Sequence, residues 1–307
     1  MINYSIIIPH KNSQELLAYG LSTIPVRDDV QVIVVDDNSD PQKVDFEHFP
    51  QWKGKNYEYY LTKEGKGAGY ARNVGLDHAK GKWVLFVDAD DYLLPTINKI
   101  FDECVDSEAD VIYFRPKAVV LGEKDVVSKR ADEYIMLISE YLETEKENNI
   151  RTRFYVPWSK FVRKTLIDKH HIRFDEIPYS NDVAFSIKVG CCAPKIAAKN
   201  LCYYVVTRSA HSLTTNMWKD INEIKVRAVA FIESQKVIYD YGWVIEEKKM
   251  ILFFQQLFLY DRVKFIRLLK LMLSCGYSRV ELINKIFADN SRKARIKRGL
   301  YVFLKTI

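Results

Sequence analysis

The sequence predicts an α/β fold in which short buried strands alternate with helices. Three β-favouring runs carry this prediction: Tyr4–Ile8, Val30–Val35 and Trp83–Val87, each followed at once by proline or aspartate. The residues after the first run have the composition of a helix capped at Asn12 or Ser13. Strands and helices in this order form right-handed β-α-β units around a largely parallel sheet.

The remaining elements continue the alternation and then change character. We expect further strands at Tyr57–Leu61, Asp110–Phe114 and Cys202–Thr207, and helices starting near Ala68, over Leu94–Val105, over Ala131–Asn148, towards His170 and after Asp182. From Trp218 onward the chain has no proline and few glycines, and apolar residues recur at helical spacing, with one long helix expected over Met250–Met272. The sequence therefore predicts two domains: residues 1–215, which contain the sheet, and residues 216–307, a basic α-helical region.

Composition restricts the class of protein. Of 307 residues, 48% are apolar and 28% are charged, which is typical of a globular protein. The five cysteines include no C-x-x-C pair, so neither a zinc site nor a disulfide framework is expected. The first residues lack the pattern of a signal peptide, and the longest apolar stretch, Met250–Tyr260, is too short for a membrane span. These features predict a cytoplasmic protein.

Charge is distributed unevenly along the chain. The net charge is +6, but residues 216–307 contain 18 Lys and Arg against 9 Asp and Glu, so residues 1–215 are net negative. The basic segment Arg292–Arg298 and the apolar residues after it are typical of a helix at an anionic membrane surface, here the inner face of the cell membrane. A helical domain with a solvated basic face has the same pattern. Both interpretations stay open, and no nucleic acid partner is expected because no binding module is recognisable.

Three carboxylates follow the run Trp83–Val87, in the sequence Asp88-Ala89-Asp90-Asp91. Acidic groups this close repel one another unless a cation lies between them, and oxygen ligands suit Mg²⁺ or Mn²⁺. The alternative is a solvated acidic turn that ends the strand. Asp36 and Asp37 end the second run, and ligands bind beyond the carboxyl ends of parallel strands. Two acidic turns at one sheet edge therefore favour a cation-dependent site.

A glycine-rich segment, Gly65–Gly75, lies between the two acidic turns. Its glycines let the backbone approach a ligand closely, a helix starting near Ala68 would present free N–H groups, and Lys66 and Arg72 add positive charge. This combination suits a diphosphate, although a flexible turn before an ordinary helix has the same pattern. Because the segment follows the third predicted strand instead of the first, a dinucleotide-binding fold is not indicated.

Several motifs occur in the order found in one known family: Ser5–Pro9, Val34–Ser39, Gly67–Gly75, Asp88–Asp91, Trp158–Lys160, Asn181–Asp182 and Arg208–Ser212. Over about residues 1–215 the chain resembles the inverting GT-A glycosyltransferases of family 2, enzymes of bacterial capsule, lipooligosaccharide and teichoic-acid assembly. The resemblance implies a Rossmann-like GT-A fold, a mixed sheet flanked by helices, with a C-terminal α-helical extension. It also implies transfer of a sugar from a UDP-sugar to a hydroxyl of a surface glycan or lipid-linked acceptor, with Mn²⁺ or Mg²⁺ as cofactor.

The resemblance assigns roles to individual residues. The donor nucleotide would be bound by Pro9, Asp37, Arg72, Asp88 and Ala89, the metal by Asp90 and His211, and the acceptor by Trp158 and Asn181, with Asp182 as the catalytic general base. Simple structural roles exist for three of these residues: a helix cap for Asp182, a packed core aromatic for Trp158 and a satisfied loop histidine for His211.

Two positions depart from the family pattern. Asn181 stands where the family usually has Glu, which affects orientation of the acceptor. Lys11 stands where the family usually has an aromatic residue, which affects stacking on the nucleobase. Neither change removes a group that the chemistry requires.

Three other functions share parts of this pattern. An aspartate-nucleophile phosphatase normally has Thr or Val two residues after the second aspartate, where this chain has Tyr92. A nucleotidyltransferase would share the fold and the metal but would form a new sugar nucleotide. A non-catalytic sugar-nucleotide-binding protein tethered to a membrane is compatible with Asn181.

Overall fold

The structure is a computed structural model that describes residues 1–208, 220–244 and 247–286. The contacts divide the chain into two compact units, Met1–Asn216 and Met217–Ile307. His211 and the basic segment Arg292–Arg298 lie outside the described residues, so the roles predicted for them stay predictions.

The first unit contains two sheets within its described residues. The strands are β1 Tyr4–His10, β2 Val30–Asp37, β3 Tyr57–Thr62, β4 Trp83–Phe86, β5 Tyr92–Leu93, β6 Val111–Phe114, β7 Lys117–Val120, β8 Glu123–Val127, β9 Lys160–Arg163, β10 Ile196–Lys199 and β11 Tyr204–Arg208. The large sheet has the order β10-β6-β9-β4-β1-β2-β3, and the small sheet has the order β5-β11-β7-β8. In the large sheet β9 runs antiparallel to both neighbours and the other pairs are parallel, which confirms the predicted mixed sheet.

Helices flank the large sheet and form the second unit. The helices of the first unit are α1 Gln14–Thr23, α2 Ala68–His78, α3 Thr96–Cys104, α4 Asp132–Thr144, α5 Glu147–Arg153, α6 Lys164–Lys169 and α7 Val183–Cys192, with a 3₁₀ turn at Lys129–Ala131 before α4. The second unit contains α8 Ile221–Asp240, α9 Glu247–Tyr260, α10 Arg262–Ser274 and α11 Arg279–Ile286. No helix in the described part of the chain is both long and apolar enough to span a membrane.

Two helices predicted as continuous are each divided in the structure. The segment 131–148 breaks at Glu145, whose φ of 56° places it in the left-handed region that ends a helix. The segment 250–272 breaks at Asp261, whose carboxylate accepts the backbone N–H of Lys264 and caps the following helix. Both predictions of a continuous helix were wrong. They rested on apolar spacing, which continues across each break and does not reveal the left-handed residue or the helix cap that divides the segment.

The central strands explain where functional side chains emerge. Every residue of β1 and β2 is buried, and all four residues of β4 are buried as well. The parallel register places His10 at the end of β1 opposite Asp36 near the end of β2. The acids at the end of β2 and those that follow β4 therefore lie at the same edge of the sheet.

Candidate active site

Asp36, the first acid of the first acidic turn, stabilises the turn itself. Its carboxylate lies 2.7 Å from Nδ1 of His10 and accepts hydrogen bonds from the Ser39 hydroxyl (2.6 Å) and backbone N–H (2.9 Å). Burial would raise the pKa of Asp36, but these bonds lower it below its usual value. Both oxygens of Asp36 are used within the protein, so this residue does not contact a ligand.

Asp37, the next residue, offers an unused acceptor. Its Oδ2 accepts the backbone N–H of Gly67 at 2.9 Å and Nζ of Lys11 at 3.2 Å. Its Oδ1 is buried without a partner among the described residues, on a side chain only 3% exposed. A buried polar atom left without a hydrogen bond is costly, so Oδ1 is suited to a donor group of a ligand.

Gly67 connects this turn to the glycine-rich segment. It has a φ of 93°, a conformation that favours glycine, and immediately precedes α2. The hydrogen bond from Gly67 to Asp37 therefore holds the start of α2 beside the end of β2. Arg72 lies on the second turn of this helix, which extends the site from Asp37 along α2.

Asp91 anchors the second acidic turn and is not available to a cation. It is buried, and its oxygens accept the Tyr204 hydroxyl and the Thr207 N–H, both at 2.7 Å. The Tyr204 oxygen in turn accepts the backbone N–H of Asp88 at 3.0 Å. Burial and the two neighbouring acids raise the pKa of Asp91. This network fixes the turn, in which the Asp88 side chain is half-buried and the Asp90 side chain is exposed.

Asp90 has the character expected of a cation ligand. Its side chain is exposed and accepts no hydrogen bond from the described residues. Solvent reaches the carboxylate, yet the surrounding protein removes much of its hydration, and this desolvation together with Asp88 raises its pKa to about 6. The neighbouring Ala89 is buried. A positive charge beside Asp90 would relieve this repulsion.

The described residues alone do not form a complete metal centre. Within residues 1–208, 220–244 and 247–286, no group of three or more His, Cys, Asp or Glu side chains is placed to hold a metal ion. Mg²⁺ commonly binds one or two carboxylates together with substrate phosphates. The carboxylates of Asp90 and Asp88 therefore fit a cation that is shared with a diphosphate.

Arg72 joins the acidic turn to the segment before α7. Its two terminal nitrogens donate to Asp88 at 2.6 Å and to the side-chain oxygen of Asn181 at 2.9 Å. The guanidinium lies 5.3 Å from the ring centre of Phe174, and its Nε is buried without a partner among the described residues. Arg72 therefore brings the predicted donor residues and the predicted base segment into one site.

Close backbone packing holds the Asn181 segment against α2. A Cβ at Gly69 would lie 2.1 Å from the carbonyl oxygen of Asp175 and 3.1 Å from Cβ of Asn181. The backbone N–H of Asp175 also donates to the carbonyl of Asn181 at 3.1 Å. Glycine at position 69 is thus required for this approach.

Asp182 precedes α7 at the cap position, but its side chain makes no capping hydrogen bond. Burial raises the pKa of Asp182, and the guanidinium groups of Arg72 and Arg130 oppose this shift. A half-buried carboxylate that makes no capping hydrogen bond, and whose ionised form two guanidinium groups favour, suits proton transfer better than capping. The simple cap interpretation therefore does not explain this side chain.

The segment Trp158–Lys160 is buried and packs against Tyr204, the residue that holds the acidic turn. Ser159 has a φ of 57°, an uncommon conformation for a residue other than glycine, and lies buried between its neighbours. Trp158 is 2% exposed and stacks on Tyr204 with ring centres 5.5 Å apart. It packs as a core aromatic behind the acidic turn, and its contact with an acceptor stays a prediction.

Four residues near the site were not predicted from the sequence. Tyr204 holds the acidic turn, and Arg130, Tyr134 and Lys160 act electrostatically with Asp182. Their positions depend on contacts between distant segments. Lys160 alone had a sequence signal, as the last residue of the motif Trp158–Lys160.

Residues 5–170, more than half of the chain, match the pattern described as glycosyl transferase family 2. The chain belongs to glycosyl transferase family 2. This membership confirms the resemblance inferred from the order of the motifs.

Curated relatives of this family 2 protein are named as glycosyltransferases. The chain is 27% identical over 216 residues to the poly(ribitol-phosphate) β-N-acetylglucosaminyltransferase TarS of Staphylococcus aureus (strain MW2), covering 68% of this chain and 36% of TarS. It is 36% identical over 97 residues to a GalNAc(5)-diNAcBac-PP-undecaprenol β-1,3-glucosyltransferase of Campylobacter jejuni, covering 31% of each. The matches thus span about a third of the length of these relatives.

Solved structures agree on the fold. Residues 1–349 of S. aureus TarS in complex with UDP-GlcNAc superpose with a TM-score of 0.60 at 21% identity, covering 93% of this chain and 89% of that one. A mannosyltransferase from Pyrobaculum calidifontis in complex with GDP-Man and Mn²⁺ gives a TM-score of 0.51 at 15% identity, covering 97% and 82%. The GT-A fold predicted for this family 2 chain is confirmed.

The buried Lys160 predicts a pH-dependent stability of the fold. It is fully buried, its Nζ donates to the Phe154 carbonyl at 3.2 Å, and desolvation lowers its pKa from 10.5 to about 7. The unfolded chain therefore binds more protons between these values, and stability rises with pH across that window. We expect Lys160→Met to raise the free energy of unfolding near pH 7 by on the order of 2–5 kcal/mol. We also expect the free energy of unfolding of this variant to depend less on pH within that window.

Urea unfolding of the wild type and of Lys160→Met, at about pH 6, 8 and 10, measures this effect. Lys169→Met, at an exposed position, is the matched control and should follow the wild type. Equal pH slopes for the wild type and Lys160→Met would contradict the prediction.

Proposed function

We propose that this family 2 protein is an inverting glycosyltransferase that moves a sugar from a UDP-sugar to a hydroxyl group. The observation that carries the proposal is the Arg72 bridge, which links Asp88 on the donor side to Asn181, the neighbour of Asp182. Leaving-group chemistry and proton transfer need such groups on two sides of one anomeric carbon.

Asp37 supports a uracil-containing donor. Its buried Oδ1 lacks a partner among the described residues and is fixed by the hydrogen bond that Oδ2 accepts from Gly67. Uracil carries one ring N–H that can donate to such an oxygen. Pro9, which lies near the end of β1 and pairs with Val35, would border the same base. Lys11, already paired with Asp37, stands where the family usually has an aromatic residue.

The diphosphate is proposed to lie between Asp90 and the start of α2. A divalent cation bound there by Asp90, and by His211 if the resemblance holds, would neutralise charge that develops on the leaving oxygen. Arg72 and the free N–H groups at the start of α2 add positive potential from the protein. Asp88 and Ala89 would contact the ribose and its neighbouring phosphate.

Asp182 is proposed as the general base. Its carboxylate makes no capping bond and lies in the electrostatic field of Arg72 and Arg130, which favour the ionised form. In that form it accepts the proton of the acceptor hydroxyl while the hydroxyl oxygen bonds to the anomeric carbon and the bond to the diphosphate breaks. A single displacement from the face opposite the leaving group inverts that carbon.

The acceptor is proposed to be a bacterial surface glycan or its lipid-linked precursor. The names of the relatives support this class, since one acts on poly(ribitol phosphate) and another on a sugar-PP-undecaprenol. Residues 1–215 would carry out the transfer, and the basic residues 216–307 would favour a polyanionic or membrane-bound acceptor.

Binding to an anionic membrane is a separate prediction of this proposal. Replacing the five basic residues within Arg292–Arg298 by Gln in the full chain should weaken binding to vesicles of anionic phospholipid at least about 10-fold, because each cation near such a surface contributes about 1 kcal/mol. Co-sedimentation measures the effect, with neutral vesicles as the control. Unchanged binding would favour the interpretation that this region is a solvated basic face.

Product analysis with UDP-sugars and Mn²⁺ tests the proposed activity. Release of UDP together with a new glycoside of inverted configuration is expected. Formation of a sugar nucleotide would instead indicate a nucleotidyltransferase, hydrolysis of simple phosphate esters a phosphatase, and donor binding without any turnover a non-catalytic binding protein. A thermal-shift screen identifies the donor first, since a bound ligand stabilises by mass action.

A further inference from the structure

Asn181 stands at the position where the family usually has a carboxylate, and the structure shows what its amide does. Its side-chain oxygen accepts a hydrogen bond from Arg72 at 2.9 Å. Among the described residues, its side-chain nitrogen has a single long contact, 3.5 Å, to the carbonyl of Ile177. The strong interaction of this side chain is therefore with the guanidinium.

The charge balance around Arg72 depends on this amide. The other arm of the guanidinium pairs with Asp88 at 2.6 Å, so one cation faces one carboxylate and one neutral acceptor. A carboxylate at position 181 would add a second negative charge beside the same guanidinium, on a side chain only 7% exposed. The amide gives Arg72 a hydrogen bond without neutralising it further.

Among the described residues, Asp182 interacts electrostatically with charged and titratable groups on five elements. They are Arg72 on α2, Asp88 in the acidic turn, Arg130 in the 3₁₀ turn, Tyr134 on α4 and Lys160 on β9. Among the groups that favour the ionised carboxylate, Arg72 has the largest effect. A change in the charge available at Arg72 therefore acts directly on Asp182.

Backbone contacts hold the segment around Asn181 against α2. The carbonyl of Asn181 accepts the N–H of Asp175, and the segment approaches α2 over Gly69. The residue is half-buried and lies next to Asp182 in the chain.

We propose that Asn181 is a positioning residue that holds Arg72 by a neutral hydrogen bond and so keeps the guanidinium charge available to the Asp182 carboxylate and to the donor diphosphate. The proposal rests on the proposed function, in which Asp182 is the base and a UDP-sugar is the donor. Because Asn181 carries no charge where the family usually has a carboxylate, the positive potential of the site is maintained.

Two variants separate charge from hydrogen bonding. Asn181→Asp keeps size and an acceptor oxygen but adds a charge, whereas Asn181→Ala removes the hydrogen bond and adds none. The matched control is Asn98→Asp, since Asn98 also accepts a hydrogen bond from a guanidinium, that of Arg27 at 3.0 Å, on α3.

The first measurement is the pH profile of kcat/KM, whose acid limb reports the base in the free enzyme. An added negative charge beside Asp182 disfavours its ionised form, so Asn181→Asp should move the acid limb upward by about one pH unit. Asn181→Ala should lower kcat without moving the limb, and Asn98→Asp should match the wild type. Equal profiles for Asn181→Asp and Asn181→Ala would reduce the residue to a structural role and overturn the proposal.

The second measurement is calorimetric binding of UDP with Mn²⁺, which needs no turnover. Asn181→Asp should bind UDP about 10-fold more weakly than the wild type, because its carboxylate competes with the diphosphate for Arg72. Asn181→Ala should bind within about threefold of the wild type. Wild-type binding without any transfer would refute the proposed function alone, whereas equal UDP affinity of Asn181→Asp and the wild type would refute the role of Asn181 alone.

Discussion

Asp182→Asn is expected to lower the rate of sugar transfer by about 10²–10⁴-fold, the usual contribution of a general base. The amide has nearly the same shape and cannot accept the proton of the acceptor hydroxyl. Because the side chain makes no capping hydrogen bond, its replacement leaves the start of α7 unchanged. Steady-state kinetics with the donor identified by thermal shift measure the loss, and calorimetry with UDP and Mn²⁺ should show binding within about threefold of the wild type.

The acid Asp175 provides the matched control. It lies in the same loop, is half-buried, and burial raises its pKa, but it does not take part in the Arg72 bridge. Asp175→Asn should retain transfer within about threefold. Near-normal turnover of Asp182→Asn would refute the assignment of the base, and an equal loss in both variants would indicate a general disturbance of the loop.

The pH profile of the wild type gives the same assignment a second readout. Burial raises the pKa of Asp182, so the base is protonated at a pH where an exposed aspartate is already ionised. The acid limb of kcat/KM should therefore lie above the ordinary aspartate value of 3.8, with activity gained as pH rises through it.

Asp90→Ala is expected to remove activity together with its dependence on metal. Loss of one preorganised group that stabilises a developing charge typically lowers kcat about 10²–10³-fold, and here the group would hold the cation that does so. The exposed Asp90 carboxylate accepts no hydrogen bond from the described residues, so its removal leaves the fold unaffected. Titration of Mn²⁺ against activity, and calorimetry of UDP with and without Mn²⁺, measure the effect.

Two other acids serve as controls for Asp90. Asp106→Ala, at an exposed position just after α3, should leave the Mn²⁺ titration unchanged. Asp91→Asn leaves one acceptor oxygen for the two donors Tyr204 and Thr207 and should lower the melting temperature, an effect that Asp90→Ala should not have. An Asp90→Ala protein with a normal Mn²⁺ response would place the cation elsewhere.

The sequence predicted the elements whose signal is local. The strands β1, β2 and β4 are nearly continuous apolar runs, and proline or aspartate marks their ends. The strands β7, β9 and β10 were missed, because each contains a lysine and none has the continuous apolar run that identified the equally short β4 and β6. Their strand conformation depends on pairing with distant partners, such as Ile196 with Val111.

Within the site, the sequence identified residue types but not their directions. It placed acids after β2 and β4, yet it did not separate Asp36, which is used by His10 and Ser39, from Asp37, which keeps a free oxygen. Likewise it did not show that Asp91 faces Tyr204 while Asp90 faces outward. These differences arise from tertiary hydrogen bonds and are absent from composition and spacing.

Our central inference is that Asp37 and Asp90 bind one donor molecule and that Asp182, which acts on the acceptor hydroxyl, faces the same hollow. Anomalous diffraction from crystals grown with UDP and Mn²⁺ tests it most directly. We predict a manganese peak at the Asp90 carboxylate in contact with the diphosphate, the uracil N–H on Oδ1 of Asp37, and Asp182 open to the same hollow. A UDP molecule bound away from Asp37, or an Asp182 side chain that faces a separate surface, would contradict the account.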